Sequence, residues 1–332
     1  MPVRKSYCLI SRPEKRVSLS HFNITSQPIP TLGQNQVRVK VTHISIDPTN
    51  RIWMSDKPQY MPPVALGEVM RAIGIGVVEE STDPQFEKGD LVSGLLGWTT
   101  HAICQGREIT KLPKLNVPPS TFLSVLGMTS FSAYFGLLDI GQPKPGETVV
   151  ISAAAGAVGS IACQIAKLKG TRVVGVAGSP EKCAWLKDSI GVDATINYKE
   201  GNLLKQLQAA APNGIDVYFE NVGGPLFEAV LQHLNLFARI PLCGLISGYN
   251  ETGPTQTPQN FEQILMKRAK IQGFIILDYQ ARFSEAFSDL LAWYQAGHLT
   301  KNETILKGFD SLVDAVNMLF DGKNQGKLIV EV

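Results

Sequence analysis

Cysteine is scarce in this sequence, and neither cysteine nor histidine is clustered. The five cysteines occur singly along 332 residues, so near neighbours cannot form a CxxC pair or a disulfide framework. A structural zinc lobe needs four clustered cysteines and is excluded as well. The five histidines are isolated, and we expect each at the surface or in a turn rather than as a metal ligand: His21, His43, His101, His233 and His298.

Long runs of one charge sign are also missing. The 31 basic and 29 acidic residues are mixed along the chain, which leaves a formal net charge of +2 and no footprint for nucleic acid. One uncharged stretch, 149–166, is interrupted by glycines, serines and Gln164, so we do not expect a membrane span there. Charged residues punctuate the first sixteen positions, which argues against a secretory signal and favours a reducing, cytoplasmic location.

The chain divides into two regions with different patterns of apolar residues and turns. A length of 332 residues exceeds that of one typical domain. Residues 3–122 consist of short apolar runs between Pro, Gly and Asp turns, which predicts a β-rich domain. Beyond Ser120 the sequence turns helical and then alternates strands with helices. The tail ends in GKLIVEV, a predicted strand that returns to the first domain.

Six near-continuous apolar runs predict a parallel sheet in the second region. Strands that are buried on both faces read in this way. Between the runs, apolar residues recur at helical spacing, and residues 278–297 close the set with a further helix. The six runs are ETVVISAA (147–154), TRVVGVAG (171–178), ATINY (194–198), GIDVYFENVGG (214–224), ARIPLCGLIS (238–247) and KIQGFIIL (270–277). We therefore predict an α/β chain in which a wound sheet is inserted between pieces of a β-rich domain.

A glycine turn follows the first of these runs. Set against the pattern G-x-G-x-x-G, the first position is Ala154, the second Gly156 and the third Gly159. Gly156 would let the backbone approach a pyrophosphate, and Gly159 would allow close packing of helix on strand. A tight turn without a ligand is the alternative, because the pattern alone is weak. The strand before it and the helix after it favour a dinucleotide site.

The second run ends without the acidic residue that NAD sites place there. Gly178 and Ser179 stand where a carboxylate would bind the ribose hydroxyls. A carboxylate about 4 Å from a 2′-phosphate would cost on the order of 4 kcal/mol per charge pair, so its absence favours NADP. Ser179 and Pro180 suit the start of a helix, and Lys182 adds a positive charge. The alternative is that Lys182 is a solvated surface lysine beside Glu181.

Several stretches together resemble the zinc-independent medium-chain dehydrogenase/reductases, in particular the prostaglandin reductase, leukotriene B4 12-hydroxydehydrogenase and plant double-bond reductase group. The resemblance covers nearly the whole chain. The stretches that carry it are SIDPTNR (45–51), GEVM (67–70), GMTSFSAYFGLLDIG (127–141), AAAGAVGSIACQIAKLKG (153–170), AGSPEK (177–182), NYK (197–199), ENVGG (220–224), CGLISGYN (243–250) and NQGKLIVEV (324–332).

The resemblance implies a Rossmann doubly wound parallel-sheet domain at 124–299 and a GroES-like β-rich domain at 1–123 and 300–332. It implies NADPH as the hydride donor, no metal, and reduction of the carbon–carbon double bond of enones or enals. The catalytic residue would be Tyr249. The residues implied to contact the cofactor are Gly156, Ala157, Val158, Gly159, Lys182, Tyr198, Asn221, Cys243, Gly244, Leu245, Ile246, Ser247, Tyr249, Phe274, Ile275, Ile276 and Asn324.

Two departures from related sequences bear on chemistry. The stretches 44–47 and 67–69, where related zinc enzymes carry metal ligands, contain no Cys or His. Thr49 and Asn50 replace a segment that commonly holds Tyr, so the shape of the substrate pocket is left open. Without a metal, hydrogen bonds must stabilise the developing oxyanion, and Tyr249 or a ribose hydroxyl that it orients would donate one.

Other functions and assemblies stay open at this point. Quinone reduction with the same cofactor is one rival activity, and a non-catalytic NADPH-binding protein is another. The run at 270–277 comes last in the predicted sheet and would need a partner if it lies at an edge, so we expect a homodimer.

Overall fold

Fifteen strands and nine α-helices are present in the computed structural model, which describes residues 3–251 and 258–332. The strands are β1 (Val3–Leu9), β2 (Phe22–Pro28), β3 (Gln36–Ile46), β4 (Gly74–Ser81), β5 (Leu91–Gly94), β6 (His101–Gln105), β7 (Ile109–Lys111), β8 (Thr148–Ile151), β9 (Arg172–Ala177), β10 (Ala194–Asn197), β11 (Ile215–Phe219), β12 (Leu234–Leu242), β13 (Lys270–Gly273), β14 (Glu303–Lys307) and β15 (Lys327–Glu331). The helices are α1 (Pro48–Trp53), α2 (Met128–Phe135), α3 (Ala157–Leu168), α4 (Pro180–Trp185), α5 (Leu203–Ala210), α6 (Gly224–Leu231), α7 (Gln263–Lys267), α8 (Phe283–Gln295) and α9 (Leu312–Phe320).

These elements form two compact units, which we call the β-rich unit and the parallel-sheet unit. The β-rich unit comprises the chain up to Leu123 together with Glu303–Asn324 and Leu328–Val332. The parallel-sheet unit comprises Ser124–Asn302 and Gln325–Lys327. The predicted domain boundaries, with their assignment as substrate and cofactor domains, stay a prediction.

The β-rich unit is built around a sheet with the order β14-β15-β3-β4-β5-β7, and β6 also pairs with β3. Strands β1 and β2 form a separate antiparallel pair. Alternate residues of β3, namely Val37, Val39 and Val41, are buried in its core, as the period of two in an extended strand requires. The C-terminal strand β15 pairs antiparallel with β3, with Leu328 opposite Ile46, so the tail returns to this unit as the sequence predicts.

The parallel-sheet unit contains a six-stranded sheet in the order β10-β9-β8-β11-β12-β13. Every one of its five strand pairings is parallel. Numbered along the chain, this is the order 3-2-1-4-5-6 of a dinucleotide-binding Rossmann sheet, in which the winding reverses between the first and fourth strands. The predicted fold class is therefore confirmed. The reversal lies between β8 and β11, and ligands of such sheets bind at the carboxyl ends of the strands there.

The sixth predicted strand is shorter than the apolar run that predicted it. Strand β13 ends at Gly273, and residues Ile276–Arg282 form a 3₁₀ helix ahead of α8. The ring of Phe274 packs against Gly136, where a Cβ would lie 2.6 Å from the ring. The apolar residues after Gly273 are therefore used for packing rather than for strand pairing, which a continuous apolar run does not distinguish.

The uncharged stretch 149–166 supplies β8, the following turn and most of α3. Helix α3 has 12 residues, and its side chains from Gly159 to Ala166 are all buried. Over the residues that the structure describes, none of the helices is both long and apolar enough to span a bilayer.

Candidate functional site

The glycine turn after β8 leads directly into α3. Gly156 occupies the N-cap position with φ of −89°, and no side chain caps the helix or adds an acid to its first turn. The left-handed conformation of the turn falls on Ala153, with φ of 47°, and not on a glycine. Ala157, Val158 and Gly159 form this first turn. The first amides of a helix have no carbonyl of a preceding turn to bind, and the helix dipole favours an anion beside them.

Gly159 permits the close approach of α3 to the turn. A Cβ at this position would overlap the carbonyl oxygen of Ala153 and would lie 2.8 Å from Cα of Ala154. Any side chain at Gly159 would therefore push the helix away from the strand. This is the role that the third position of the glycine pattern predicts.

The tail of the chain also touches the glycine turn, a contact that the sequence did not indicate. Gly326 N–H donates to Ala155 O at 2.8 Å, and Gly326 forms a parallel bridge with Gly156. Lys327 N–H donates to Asn302 O at 2.8 Å, which holds the same short segment. Asn324 is buried and belongs to the β-rich unit, so its predicted contact with the cofactor stays a prediction.

A buried carboxylate, that of Glu220, lies at the end of β11 beside the end of β8. Ser152 Oγ donates to its Oε1 at 2.9 Å, and Val222 N–H donates to the same oxygen at 2.5 Å. Asn221 is bound to Ser152 twice, through its N–H to Oγ at 2.7 Å and through Nδ2 to the carbonyl oxygen at 2.8 Å. The two strand ends that flank the reversal are thus joined by side-chain hydrogen bonds.

The segment after β12 is bound to the segment after β11 through its backbone. Four N–H groups of one segment donate to carbonyls of the other, and Ser247 Oγ also donates to Val222 O at 2.6 Å. The backbone pairs are Cys243 to Glu220 at 2.9 Å, Gly244 to Glu220 at 3.2 Å, Ile246 to Asn221 at 3.1 Å and Ser247 to Val222 at 3.1 Å. The predicted cofactor residues 221 and 243–247 therefore form one hydrogen-bonded group.

Tyr249 folds back on this group. Its hydroxyl accepts a hydrogen bond from Leu245 N–H at 3.0 Å, which leaves the hydroxyl proton for another acceptor. Burial raises the pKa of Tyr249, and the neighbouring Cys243 and Glu220 raise it further. Tyr249 is therefore a neutral hydroxyl over the physiological pH range, and its proton is available for donation.

The carboxyl group of Glu220 is unfavourable to ionise because it is buried. Burial raises its pKa, although its hydrogen bonds to Val222, Gly223 and Ser152 oppose the change. Its second oxygen, Oε2, is buried and finds no hydrogen-bond partner at bonding distance within 3–251 and 258–332. Burial and the charge of Glu220 also raise the pKa of Tyr218 well above its ordinary value. The carboxyl thus accepts hydrogen bonds that join two strand ends, and its ionised form destabilises the fold because a buried charge loses its hydration.

A second group of predicted residues lies at the ends of β9 and β10. The ring of Tyr198 covers Gly178, where a Cβ would lie 2.7 to 2.9 Å from ring atoms and the hydroxyl of Tyr198. An acidic residue at Gly178 would therefore displace this ring. Ser179 is the N-cap of α4, as predicted, and its Oγ accepts from Lys182 N–H at 3.3 Å. The side chain of Lys182 is half-buried.

The predicted cofactor residues 274–276 follow β13. The side chain of Phe274 packs against Gly136 and forms an edge contact with Tyr279, with ring centres 6.3 Å apart. This side chain therefore serves packing, and the predicted contacts of residues 274–276 through their backbone stay a prediction.

The departure at Thr49 and Asn50 has a structural explanation for one of the two residues. Asn50 is buried in the β-rich unit, where its Oδ1 accepts from Asp47 N–H at 2.8 Å and its Nδ2 donates to Arg71 O at 3.1 Å. Asn50 therefore fixes the start of α1. Nothing in the structure assigns a role to Thr49.

Comparison with known proteins identifies the family. A model described as the N-terminal domain of oxidoreductase matches residues 5–112, and one described as zinc-binding dehydrogenase matches residues 157–294. The chain is 42% identical to the NADPH-dependent curcumin reductase of Escherichia coli over 99% of its own length and 96% of that protein. This chain belongs to the zinc-independent medium-chain dehydrogenase/reductases.

Two further relatives place this medium-chain reductase among proteins of the same length. It is 39% identical to mouse prostaglandin reductase 1, over 98% of each chain. It superimposes on the crystal structure of CurA from Vibrio vulnificus in complex with NADPH with a TM-score of 0.94, at 44% identity and 99% coverage of both chains. Across its described residues, no group of three or more His, Cys, Asp or Glu side chains is arranged to hold a metal ion.

The sequence did not predict two components of the site, namely Glu220 and the segment around Gly326. Both act through contacts between positions far apart in the chain, such as Ser152 with Glu220, which are 68 residues apart. A signal was available for Glu220, because an acid at the end of an otherwise apolar run must find buried partners.

We predict that replacing Glu220 by Ala lowers the stability of this reductase by about 2 to 4 kcal/mol, because buried donors lose their acceptor. Glu220→Gln keeps an acceptor oxygen of the same shape and is the matched control. Because burial raises the pKa of Glu220 above its value in the unfolded chain, ionisation costs stability as the pH rises through the folded pKa.

We therefore expect the stability of the Gln variant, relative to that of the wild type, to increase as the pH rises from about 4 to about 8. Thermal unfolding midpoints of the three proteins across that range measure both effects. A Gln variant that loses stability relative to wild type with rising pH would contradict the assignment.

Proposed function

We propose that this chain uses NADPH to reduce the carbon–carbon double bond of α,β-unsaturated ketones or aldehydes. The observation that carries the cofactor choice is the ring of Tyr198 over Gly178, which leaves no room for the acid of an NAD site. Helix α4, which begins after the same strand, carries Lys182 in its first turn. The reaction is supported by full-length relatives that are named as curcumin and prostaglandin reductases.

The residues present fit the cofactor. The uncapped, acid-free first turn of α3 suits a pyrophosphate, and Lys182 with Tyr198 suits a 2′-phosphate. Asn221 would bind the adenosine or bridging region, the segment 243–249 would line the nicotinamide side, and the backbone of 274–276 would meet the carboxamide. Asn324, on the tail of the chain, is proposed as a further cofactor contact. When bound, NADPH supplies the hydride.

Tyr249 is the proposed catalytic residue. Hydride addition at the β-carbon leaves an enolate, whose negative charge is on the substrate oxygen. Leu245 N–H holds the Tyr249 hydroxyl as an acceptor, so the hydroxyl can donate its own proton in a hydrogen bond to that oxygen. Because the raised pKa keeps Tyr249 neutral, its role is donation, and the proton that reaches the α-carbon comes from Tyr249 or from water.

An assay of NADPH oxidation across enones, enals, 1,4-quinones and saturated aldehydes tests this function. We expect turnover with enones and enals, at least about tenfold higher kcat/KM with NADPH than with NADH, and a product saturated at the α,β bond. Preference for quinones would favour the rival activity. Tight NADPH binding without turnover on any of the four classes would favour a non-catalytic role.

Tyr249→Phe removes the proposed donor and keeps the ring. We expect kcat for an enone to fall about ten- to a hundredfold with little change in the dissociation constant for NADPH. Since the pKa of Tyr249 is raised, wild-type kcat should show no loss from its ionisation up to about pH 10. The matched control is Tyr294→Phe, on α8, which should retain full activity. Unchanged turnover in Tyr249→Phe would remove this residue from the chemistry.

We also propose that the chain forms a homodimer in the cytoplasm. Strand β13 lies at an edge of the six-stranded sheet, and pairing with its two-fold mate would satisfy its free backbone groups. The five cysteines are free thiols, which suits a reducing compartment. Light scattering at micromolar concentration should give twice the mass of one chain, and a monomer would refute the dimer.

A further inference from the structure

The contact between the tail of the chain and the glycine turn fixes one peptide group from both of its sides. Gly326 N–H donates to Ala155 O at 2.8 Å, and Gly156 N–H donates to Ala153 O at 2.9 Å. The carbonyl of Ala155 and the N–H of Gly156 belong to the same planar peptide, so this peptide cannot rotate without breaking a hydrogen bond. Because Gly156 is the N-cap of α3, the orientation of the peptide sets where the first amides of the helix lie.

The turn needs to be held because its backbone is strained. Ala153 has a φ of 47°, in the left-handed region, which costs energy for a residue with a Cβ. Such a conformation persists only where the surrounding contacts hold it. Ala154 N–H donates to Val176 O on β9 at 2.9 Å, and Ala155 O accepts from the tail. The turn is therefore held by the sheet on one side and by the tail on the other.

The tail segment is itself anchored on α3. The buried side chain of Gln164 accepts from Thr300 N–H through Oε1 at 2.7 Å and donates to Thr300 O through Nε2 at 3.2 Å. Two residues later, Asn302 O accepts from Lys327 N–H at 2.8 Å. Hydrogen bonds therefore run from the middle of α3 through these two segments and back to the turn from which α3 begins. This closed path restricts movement of the tail segment relative to the helix.

A glycine is required at position 326. Its φ of 65° is left-handed, and a Cβ would overlap the carbonyl oxygen of Asn302 and lie 2.5 Å from the carbonyl carbon. A side chain would therefore push the N–H of this residue away from Ala155. Gly322, in the same tail, has nearly the same φ of 66°, but a Cβ there would meet no described atom within 4 Å. The two glycines thus separate the cost of the backbone conformation from the cost of the contact.

We propose that Gly326 is a positioning residue for the pyrophosphate of NADPH and acts through the peptide between Ala155 and Gly156. Its bonded N–H and its missing side chain let the tail hold this peptide, and with it the first turn of α3, in one orientation. A site that is ordered beforehand binds more tightly, because binding then carries no ordering cost. The inference rests on the proposed use of NADPH and adds to that site a residue from the far end of the chain.

The test compares two ligands, one with the pyrophosphate and one without it. 2′-Phosphoadenosine 5′-diphosphoribose contains it, adenosine 2′-monophosphate lacks it, and calorimetric titration of the full-length chain measures both without turnover. We expect Gly326→Ala to weaken binding of the first ligand about tenfold and binding of the second by less than about twofold. Gly322→Ala is the matched control and should change neither affinity.

Hydrogen exchange followed by mass spectrometry shows whether the turn alone is loosened. In ligand-free Gly326→Ala, residues 153–159 should exchange about tenfold faster than in the wild type, whereas β11 should exchange at the wild-type rate. Gln164→Ala removes the anchor on α3 and leaves the turn and the tail unaltered. It should weaken binding of the pyrophosphate ligand selectively, by about two- to fivefold, and it carries the test if Gly326→Ala does not fold.

The outcomes separate this proposal from the proposed function. A wild type that binds adenosine diphosphoribose as tightly as its 2′-phosphorylated form would refute NADPH as the cofactor. A Gly326→Ala variant that keeps its affinity for the pyrophosphate ligand within about twofold would overturn the role of Gly326 alone. Equal weakening of both ligands, or unchanged exchange at residues 153–159, would overturn it too, because the substitution would then not act through the turn.

Discussion

The hydrogen bonds of the Glu220 carboxylate are the constraint on which the cofactor edge of the sheet depends. They join the end of β8 to the end of β11 through Ser152, and the backbone of the same residue receives the segment after β12. A parallel sheet fixes its strands but leaves the loops at their carboxyl ends to be ordered by other contacts. Here the buried carboxyl joins the segments after β8 and β11, its unfavourable ionisation is the cost, and the backbone carbonyl of the same residue holds the segment after β12.

These backbone contacts also fix the position of the Tyr249 hydroxyl. It is held by Leu245 N–H, in a segment whose other amides donate to Glu220, Asn221 and Val222. The hydroxyl of Tyr249 is therefore held in place through a backbone contact. Preorganised donors of this kind lower the barrier because they need not reorient as charge develops.

The fold was predictable from the sequence because its main signals are local. Each signal occupies a few consecutive residues. The six apolar runs correspond to the six strands of the parallel sheet, and the glycine turn corresponds to the start of α3. Gly178, where the acid is missing, lies against the ring of Tyr198. The end of β13 was predicted wrongly, because an apolar run does not reveal whether its last residues pair or pack, as Phe274 does against Gly136. The partner of Glu220, Ser152, and the contact of Gly326 with Ala155 depend on tertiary proximity, which no spacing within the sequence encodes.

The contact between Gly178 and Tyr198 constrains how this chain can change its cofactor. An acid introduced at position 178 would meet the ring of Tyr198 at less than van der Waals distance, so this substitution alone would disturb the site before it could recruit NADH. Replacing Tyr198 alone would vacate the space but would not supply the acid that binds the ribose hydroxyls in an NAD site. Neither substitution is therefore favourable alone. A change of coenzyme from NADPH to NADH at this strand end needs replacements at positions 178 and 198 together, so random single mutations do not readily remove the preference for NADPH.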